Sequence, residues 1–157
     1  MRKRDGLWIA IAVLGLDRIT KIASFSLPEA GLELIPGIVR LRLVRNEGIA
    51  FSLLSGKPWL LGCLSLAFLL AAAWLLRNKR MSKPVTAGLM MMLGGAAGNM
   101  ADRFFLGYVP DMIELLFVDF AVFNVADAFL TVGCVMVVIC LLFGKEEAHG
   151  ERRGTDD

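Results

Sequence analysis

The chemistry of this sequence is most visible where ionisable residues interrupt apolar stretches. Asp17 and Lys21 stand four residues apart. Asn99, Asp102 and Arg103 follow at three- and four-residue spacing, and Asn124 and Asp127 are three apart. In a helix each group would share one face. Acids and amides among apolar residues are costly to keep and mark function more often than packing. Two carboxylates held a few ångström apart cannot both ionise easily, so one keeps its proton near neutral pH. The ionised member can then take a proton from water while the protonated member polarises a carbonyl. That is hydrolysis of the aspartic-protease kind, which uses neither a metal nor a nucleophilic side chain.

Each group also has a structural reading. Asp17 with Lys21 makes an intrahelical ion pair. Asp102 beside Arg103 reads as a structural pair or a helix-end anchor, and Asn99 and Asn124 as hydrogen bonds between helices. Asp127 is different, because no basic residue lies within a helical turn of it. Its ionised form needs a distant partner or water, which points to function. Asp111, between apolar runs, says little by itself. A Ser–Lys dyad of Lys21 with Ser24 or Ser52 is the weaker nucleophilic alternative, since Asp17 already offers Lys21 a partner. The single histidine, His149, lies in a charged tail, which disfavours a His-dependent triad or a His-rich metal site. Cys63, Cys134 and Cys140 sit in apolar runs without CxxC spacing and read as small apolar residues.

The elements that must position these groups are membrane helices. Of 157 residues, 57% are hydrophobic and the mean hydropathy is +0.65, more apolar surface than a soluble domain of this size can bury. A net charge of +2 is too small to suggest nucleic acid. One membrane domain, residues 1–157, is expected, with spans at about 6–26, 58–76, 84–102 and 120–143 and a tail at 144–157. A cleaved signal peptide at the N-terminus is disfavoured, because no small-x-small site precedes Asp17 and apolar residues resume after Lys21. Gly94 and Gly98 give a Gly-x-x-x-Gly spacing for close helix approach. Arg2, Lys3 and Arg4, the cluster from Arg77 to Lys83, and Lys145, Arg152 and Arg153 fall on one side, predicted cytoplasmic with both termini. Arg40, Arg42, Arg45 and Lys57 fall on the other side, spread along a segment that also holds Glu29, Glu33 and Glu47.

That outer segment, about residues 28–56, alternates apolar and basic residues from Ile38 to Val44 and is punctuated by Gly31, Pro36 and Gly37. The pattern predicts a small β-sheet lying on the membrane surface. Residues 104–119 read only as a short mixed connection. In this arrangement every acidic group lies toward the outer face, with Asp127 ~10 Å inside a span starting at Phe120. A small transporter or proton relay through Asp17, Asp102 and Asp127 is the alternative function. It is weakened because the polar groups cluster at one end of the spans.

The pattern resembles the signal peptidase II family, the prolipoprotein signal peptidases of bacteria, from Asp17 to about Gly133. Asp17-Arg-Ile-Thr-Lys21 is similar to the family's first motif and Asn46-Glu-Gly-Ile-Ala-Phe-Ser52 to its second. Gly94 to Arg103, Gly107-Tyr-Val-Pro-Asp111 and Phe123-Asn-Val-Ala-Asp127 resemble the third, fourth and fifth, in order. The resemblance implies a membrane aspartic endopeptidase without cofactor or metal, in which Asp111 and Asp127 form the catalytic dyad. It further implies that Asn46, Asn99, Arg103 and Asn124 line or brace the site, with Asp17, Lys21 and Asp102 in support. The implied substrates are diacylglyceryl-modified prolipoproteins, cut just before the lipidated cysteine by a monomer among the lipids of the bacterial inner membrane, with the site on its extracytoplasmic side. Pro110 stands where the family more often has an aliphatic residue, and proline fixes φ and lacks an N–H.

Overall fold

The computed structural model describes residues 3–48, 57–79 and 81–143. Arg2, residues 49–52 of the second motif with Ser52 among them, Arg80, and the tail 144–157 with Lys145, His149, Arg152 and Arg153 lie outside the described residues. The elements run α1 (Lys3–Ser24), β1 (Leu32–Ile35), β2 (Val39–Asn46), α2 (Pro58–Asn78), α3 (Lys83–Phe105), β3 (Val109–Leu115) and α4 (Val125–Phe143).

Proline opens both α2 and α3 within their first two positions, where its missing N–H costs nothing. By length and composition, α2 and α4 are apolar enough to cross a membrane. The helices α1 and α3 are as long, 22 and 23 residues, but carry ionisable and small residues in place of an unbroken apolar run. The packing places polar groups inside and apolar groups outside. Asp17, Lys21, Asn99, Asp102 and Asn124 are buried, while Ile19 and Ile22 of α1, Leu64 and Leu70 of α2, and Ile139 and Leu142 of α4 are exposed. Hydrocarbon accepts such an exterior, and ionisable residues in that setting turn toward the bundle.

The helix α3 packs against α1, α2 and α4, and glycine makes this crowding possible. A Cβ on Gly94 would come within 2.6 Å of the Ala10 carbonyl oxygen, and one on Gly98 within 2.5 Å of Asp17 Oδ2. The expected Gly-x-x-x-Gly contact is therefore present, and its partner is α1. Gly95, one residue along, turns to α4, where a Cβ would lie 2.6 Å from the Ala126 carbonyl oxygen.

The three strands form an antiparallel sheet in the order β1-β2-β3. Two of them occupy the outer segment, as the alternation predicts. The third, β3, was not legible as a strand, because its first four residues are all buried and so show no alternation. Gly107, at φ 77°, follows the Leu106 cap of α3 and turns the chain from helix to strand. In the β2–β3 ladder Leu41 pairs with Ile113 and Val44 with Asp111. Arg42 and Leu43 together oppose Met112, a bulge that resets the alternation. Beyond it, Arg45 pairs with Pro110 and Asn46 with Val109. Strict alternation would leave Asn46 on the face of Arg40 and Arg42; the bulge transfers it to the face of Asp111.

The fourth helix differs from its expected span. It starts at Val125, five residues after Phe120. Residues before it run alongside β3: the Met112 and Ile113 N–H groups donate to the Phe123 carbonyl at 3.0 and 2.8 Å, and the Phe123 N–H returns a bond to Ile113 at 3.0 Å. Asp127 therefore stands in the first turn of α4 and not ~10 Å within a helix.

Candidate active site

The bridge between Phe123 and Ile113 fixes Asn124 beside Asp111. Asn124 Oδ1 accepts the Asp127 N–H at 2.9 Å, and Asp127 Oδ2 accepts the Asn124 N–H at 3.3 Å. This reciprocal pair is a capping box, so Asn124 is the cap of α4 and does not share a helix face with Asp127. With its oxygen engaged, Asn124 turns its amide outward, and Nδ2 donates to Asp111 Oδ1 at 2.7 Å. One asparagine thus touches both acids of the expected dyad.

Two more asparagines complete the shell. Asn46 Nδ2 donates to Asp111 Oδ2 at 2.8 Å, while its Oδ1 accepts the Gly48 N–H at 2.9 Å. Asn99 Nδ2 donates to Asp127 Oδ1 at 2.8 Å. Among the described residues, neither carboxylate has a salt bridge. Asp111 is 1% exposed, and that burial pushes its carboxyl up to about 6, with the charge of Asp127 adding to the rise and the Asn46 and Asn124 amides opposing it. Asp127 lines a cavity of about 580 Å³ together with Asn46, Asn99 and Arg103, and the rest of the wall is largely apolar, including Val109, Phe120, Leu130 and Val132. Arg103 is aimed here by its own helix and by the turn after β2: Nη1 donates to the Asn99 carbonyl at 3.4 Å and Nη2 to that of Gly48 at 3.2 Å.

Behind this shell lies a buried ion cluster. Lys21 Nζ donates to Asp17 Oδ2 at 2.9 Å, Asn99 Oδ1 at 2.7 Å and Asp102 Oδ2 at 2.7 Å. Arg18 grips Asp102 through both terminal nitrogens, at 2.6 and 2.8 Å, and reaches Asp17 at 3.0 Å. Asp17 Oδ1 accepts the Ala126 N–H at the start of α4 at 3.2 Å. The intrahelical Asp17–Lys21 pair is present as expected, within a larger four-charge group. Asp102 differs from expectation. Its partners are Arg18 and Lys21 of α1, and Arg103 points to the cavity instead. The Ser–Lys alternative fails at Ser24, whose hydroxyl donates to the Lys21 carbonyl at 2.7 Å while the lysine spends its protons elsewhere.

All nine residues singled out in the sequence thus come together at one end of the bundle. Arg18 was missed. Its adjacency to Asp17 gave no helical-spacing signal, and its role depends on Asp102, 84 residues away. Pro110 does not misdirect Asp111, because it takes its place in the ladder opposite Arg45. On the outer face of the sheet, Glu114 accepts Arg40 Nε at 2.7 Å and Arg42 Nε at 2.9 Å, and these guanidiniums hold its carboxyl down to about 2.

Comparison with known proteins gives this arrangement a family. The model of signal peptidase (SPase) II matches residues 9–143. A lipoprotein signal peptidase of Streptococcus pyogenes serotype M6 is 37% identical over 155 residues, covering 96% of this chain and all 100% of its own. One from Streptococcus thermophilus is 38% identical over 143 residues, covering 88% and 93%. A solved bacterial membrane enzyme, 28% identical, superposes with a TM-score of 0.83 over 96% of this chain and 94% of its own. The chain is a membrane peptidase belonging to the signal peptidase II family.

Proposed function

We propose that this chain is an aspartic endopeptidase that removes the signal peptide from diacylglyceryl-modified prolipoproteins, cutting just before the lipidated cysteine. Asp111 and Asp127 are its dyad. The observation that carries this reading is a pair of acids from different elements, bridged by Asn124 and met by amide donors instead of cations; Asp127 lines an apolar cavity and Asp111 is buried directly behind that wall. Acids so placed remain free to exchange protons. An apolar wall beside them suits a lipid-bearing substrate.

The reaction needs one proton shared by the pair. Asp111, as carboxylate, takes a proton from water, whose oxygen adds to the scissile carbonyl carbon. Asp127 supplies a proton to the carbonyl oxygen as it becomes a hydroxyl. Collapse of the tetrahedral diol returns one hydroxyl proton to Asp127 and breaks the C–N bond, and the departing cysteine nitrogen takes a proton from the acid that Asp111 has become, which restores the pair to its starting state. Arg103, on the cavity wall, binds substrate polar groups; Asn46, Asn99 and Asn124 hold the acids; Asp17, Lys21 and Asp102 support the helices beneath.

The single domain crosses the inner membrane of a bacterium four times as a monomer, through the regions about 6–26, 58–76 and 84–102 and through α4 (Val125–Phe143), with the site on the extracytoplasmic side. The exposed apolar faces of α1, α2 and α4 support three spans, the 23-residue α3 packed against all of them supports the fourth, and Lys3, Arg4, Arg77 and Lys83 at the other end support cytoplasmic termini. The rival reading, a proton relay through Asp17, Asp102 and Asp127, is opposed by the cations that hold Asp17 and Asp102. Asp111→Asn and Asp127→Asn, each in the full chain in lipid, should lose cleavage of a lipidated precursor. Normal cleavage by either variant rejects the dyad, and proton flux without cleavage in proteoliposomes selects the rival.

A further inference from the structure

We propose that Lys21 is a positioning residue for the dyad: its ammonium fixes the amide of Asn99 so that the NH2 end meets Asp127. This inference rests on the dyad reading above.

The two ends of an asparagine amide are nearly the same size, so partners alone decide which way it points. Asn99 Oδ1 accepts from Lys21 Nζ at 2.7 Å and from Asn124 Nδ2 at 3.2 Å. A reversed amide would set its NH2 against an ammonium and another NH2, and its oxygen against Asp127 Oδ1. The ammonium cannot yield by turning, because its three protons are all committed, to Asp17, Asn99 and Asp102, and Lys21 is 2% exposed.

The comparison with the other two asparagines makes the lysine's part specific. Asn46 is oriented by the Gly48 N–H and Asn124 by the Asp127 N–H, both backbone donors supplied by local turns. Asn99 sits inside α3, where the backbone N–H groups are spent on helix bonds. A side-chain donor must do for it what the backbone does for the others, and Lys21 reaches across from α1 to supply it. The charged groups around the link are Asp17, Arg18 and Lys21 from α1, Asp102 and Arg103 from α3, Asp111 from β3 and Asp127 from α4. The first three and Asp102 already balance as two anions and two cations. The third lysine proton therefore goes beyond what neutralising the cluster requires.

A purely structural lysine and an orienting one are separated by a charge-balanced pair of changes. Lys21→Met with Asp102→Asn leaves Asp17 and Arg18 as a neutral couple while removing the donor to Asn99. The full-length double variant, reconstituted in lipid, should unfold thermally no earlier than the Asp102→Asn single variant. Its kcat on a lipidated precursor should fall about 10- to 100-fold relative to that single variant, the loss usual for an outer hydrogen-bond partner. KM should stay within about twofold, since a lost orientation acts on the chemical step. The acid limb of the rate profile should move to higher pH. Equal kcat and an unmoved acid limb overturn the proposal.

Asn99→Asp supplies an independent measurement if the double variant does not fold. With Lys21 holding one carboxyl oxygen, the other presents O–H to Asp127 only when protonated, so activity should recover as pH falls. An optimum unchanged from the parent overturns the proposal. Asp111→Asn and Asp127→Asn run alongside. If they cleave normally, the dyad reading has failed; if they are inactive while Lys21→Met with Asp102→Asn keeps full kcat, only the role of Lys21 has failed.

Discussion

Four buried or half-buried aspartates occupy two neighbouring regions of this molecule, and their partners divide them. Asp17 and Asp102 meet Lys21 and Arg18 in a cluster of two anions and two cations. Asp111 and Asp127 meet asparagine amides and one backbone N–H. A cation neutralises a carboxylate and holds it in place. An amide donor orients it and only partly offsets burial and a like-charged neighbour, which raise its proton affinity. The same side chain is a fastener in one region and a reactive group in the other. Asn99 joins the two, accepting from Lys21 and donating to Asp127.

The contrast predicts opposite losses. Asp111→Asn should reduce cleavage by about 100- to 10,000-fold, as expected for an acid-base group, with little change in the unfolding midpoint. Asp17→Asn should instead destabilise the fold by about 3–5 kcal/mol, the usual cost of breaking one side of a buried ion pair, measured by denaturant unfolding in lipid or detergent. If Asp17→Asn unfolds like the parent but cannot cleave, the division between the regions is wrong.

A smaller steric effect tests the fastening region again. Gly98→Ala places a Cβ 2.5 Å from Asp17 Oδ2, so helix or carboxylate must shift, at about 1–3 kcal/mol. A midpoint equal to the parent's would show that the α1–α3 approach is looser than the geometry requires. The reactive region has a pH signature. Asp111 is raised by burial to about 6, so its carboxylate form is lost below that pH, and kcat/KM should fall as pH drops through about 6. The sign for stability is the reverse. Because the folded value lies above the unfolded one, ionisation of Asp111 weakens the fold as pH rises from the ordinary carboxylate range to about 6. The smallest effect belongs to the exposed sheet face, where Glu114→Gln should cost about 0–1 kcal/mol, because solvent screens its arginine pairs.

Much of this was legible in the sequence for physical reasons. Helical spacing marked Asp17 with Lys21 and Asn99 with Asp102 and Arg103, because residues on one face of a helix meet common neighbours. Period-two alternation marked β2, because one face of that strand carries Arg40 and Arg42 and the other Leu41. The capping box was present in Asn124-Val-Ala-Asp127, yet an apolar run starting at Phe120 made both residues look interior to a helix. Asp111 carried no local signal, since its environment is assembled from β2, β3 and the start of α4. Arg18 was hidden for the same reason, its partner lying on another helix.

The sequence by itself determined the medium and the inventory: an apolar chain for a membrane, a surface strand, small residues where helices cross, and acids with amides toward one end. Local spacing and hydropathy carry that information because each depends on near neighbours. Only the tertiary structure decided which acids meet cations and which meet amides. A bulge in β2 brought Asn46 to the face of Asp111, a bridge from Phe123 to Ile113 set Asn124 between Asp111 and Asp127, and Gly98 made room for Asp17 beside α3. Those pairings join residues distant in the chain, and reactivity follows the partner rather than the residue type.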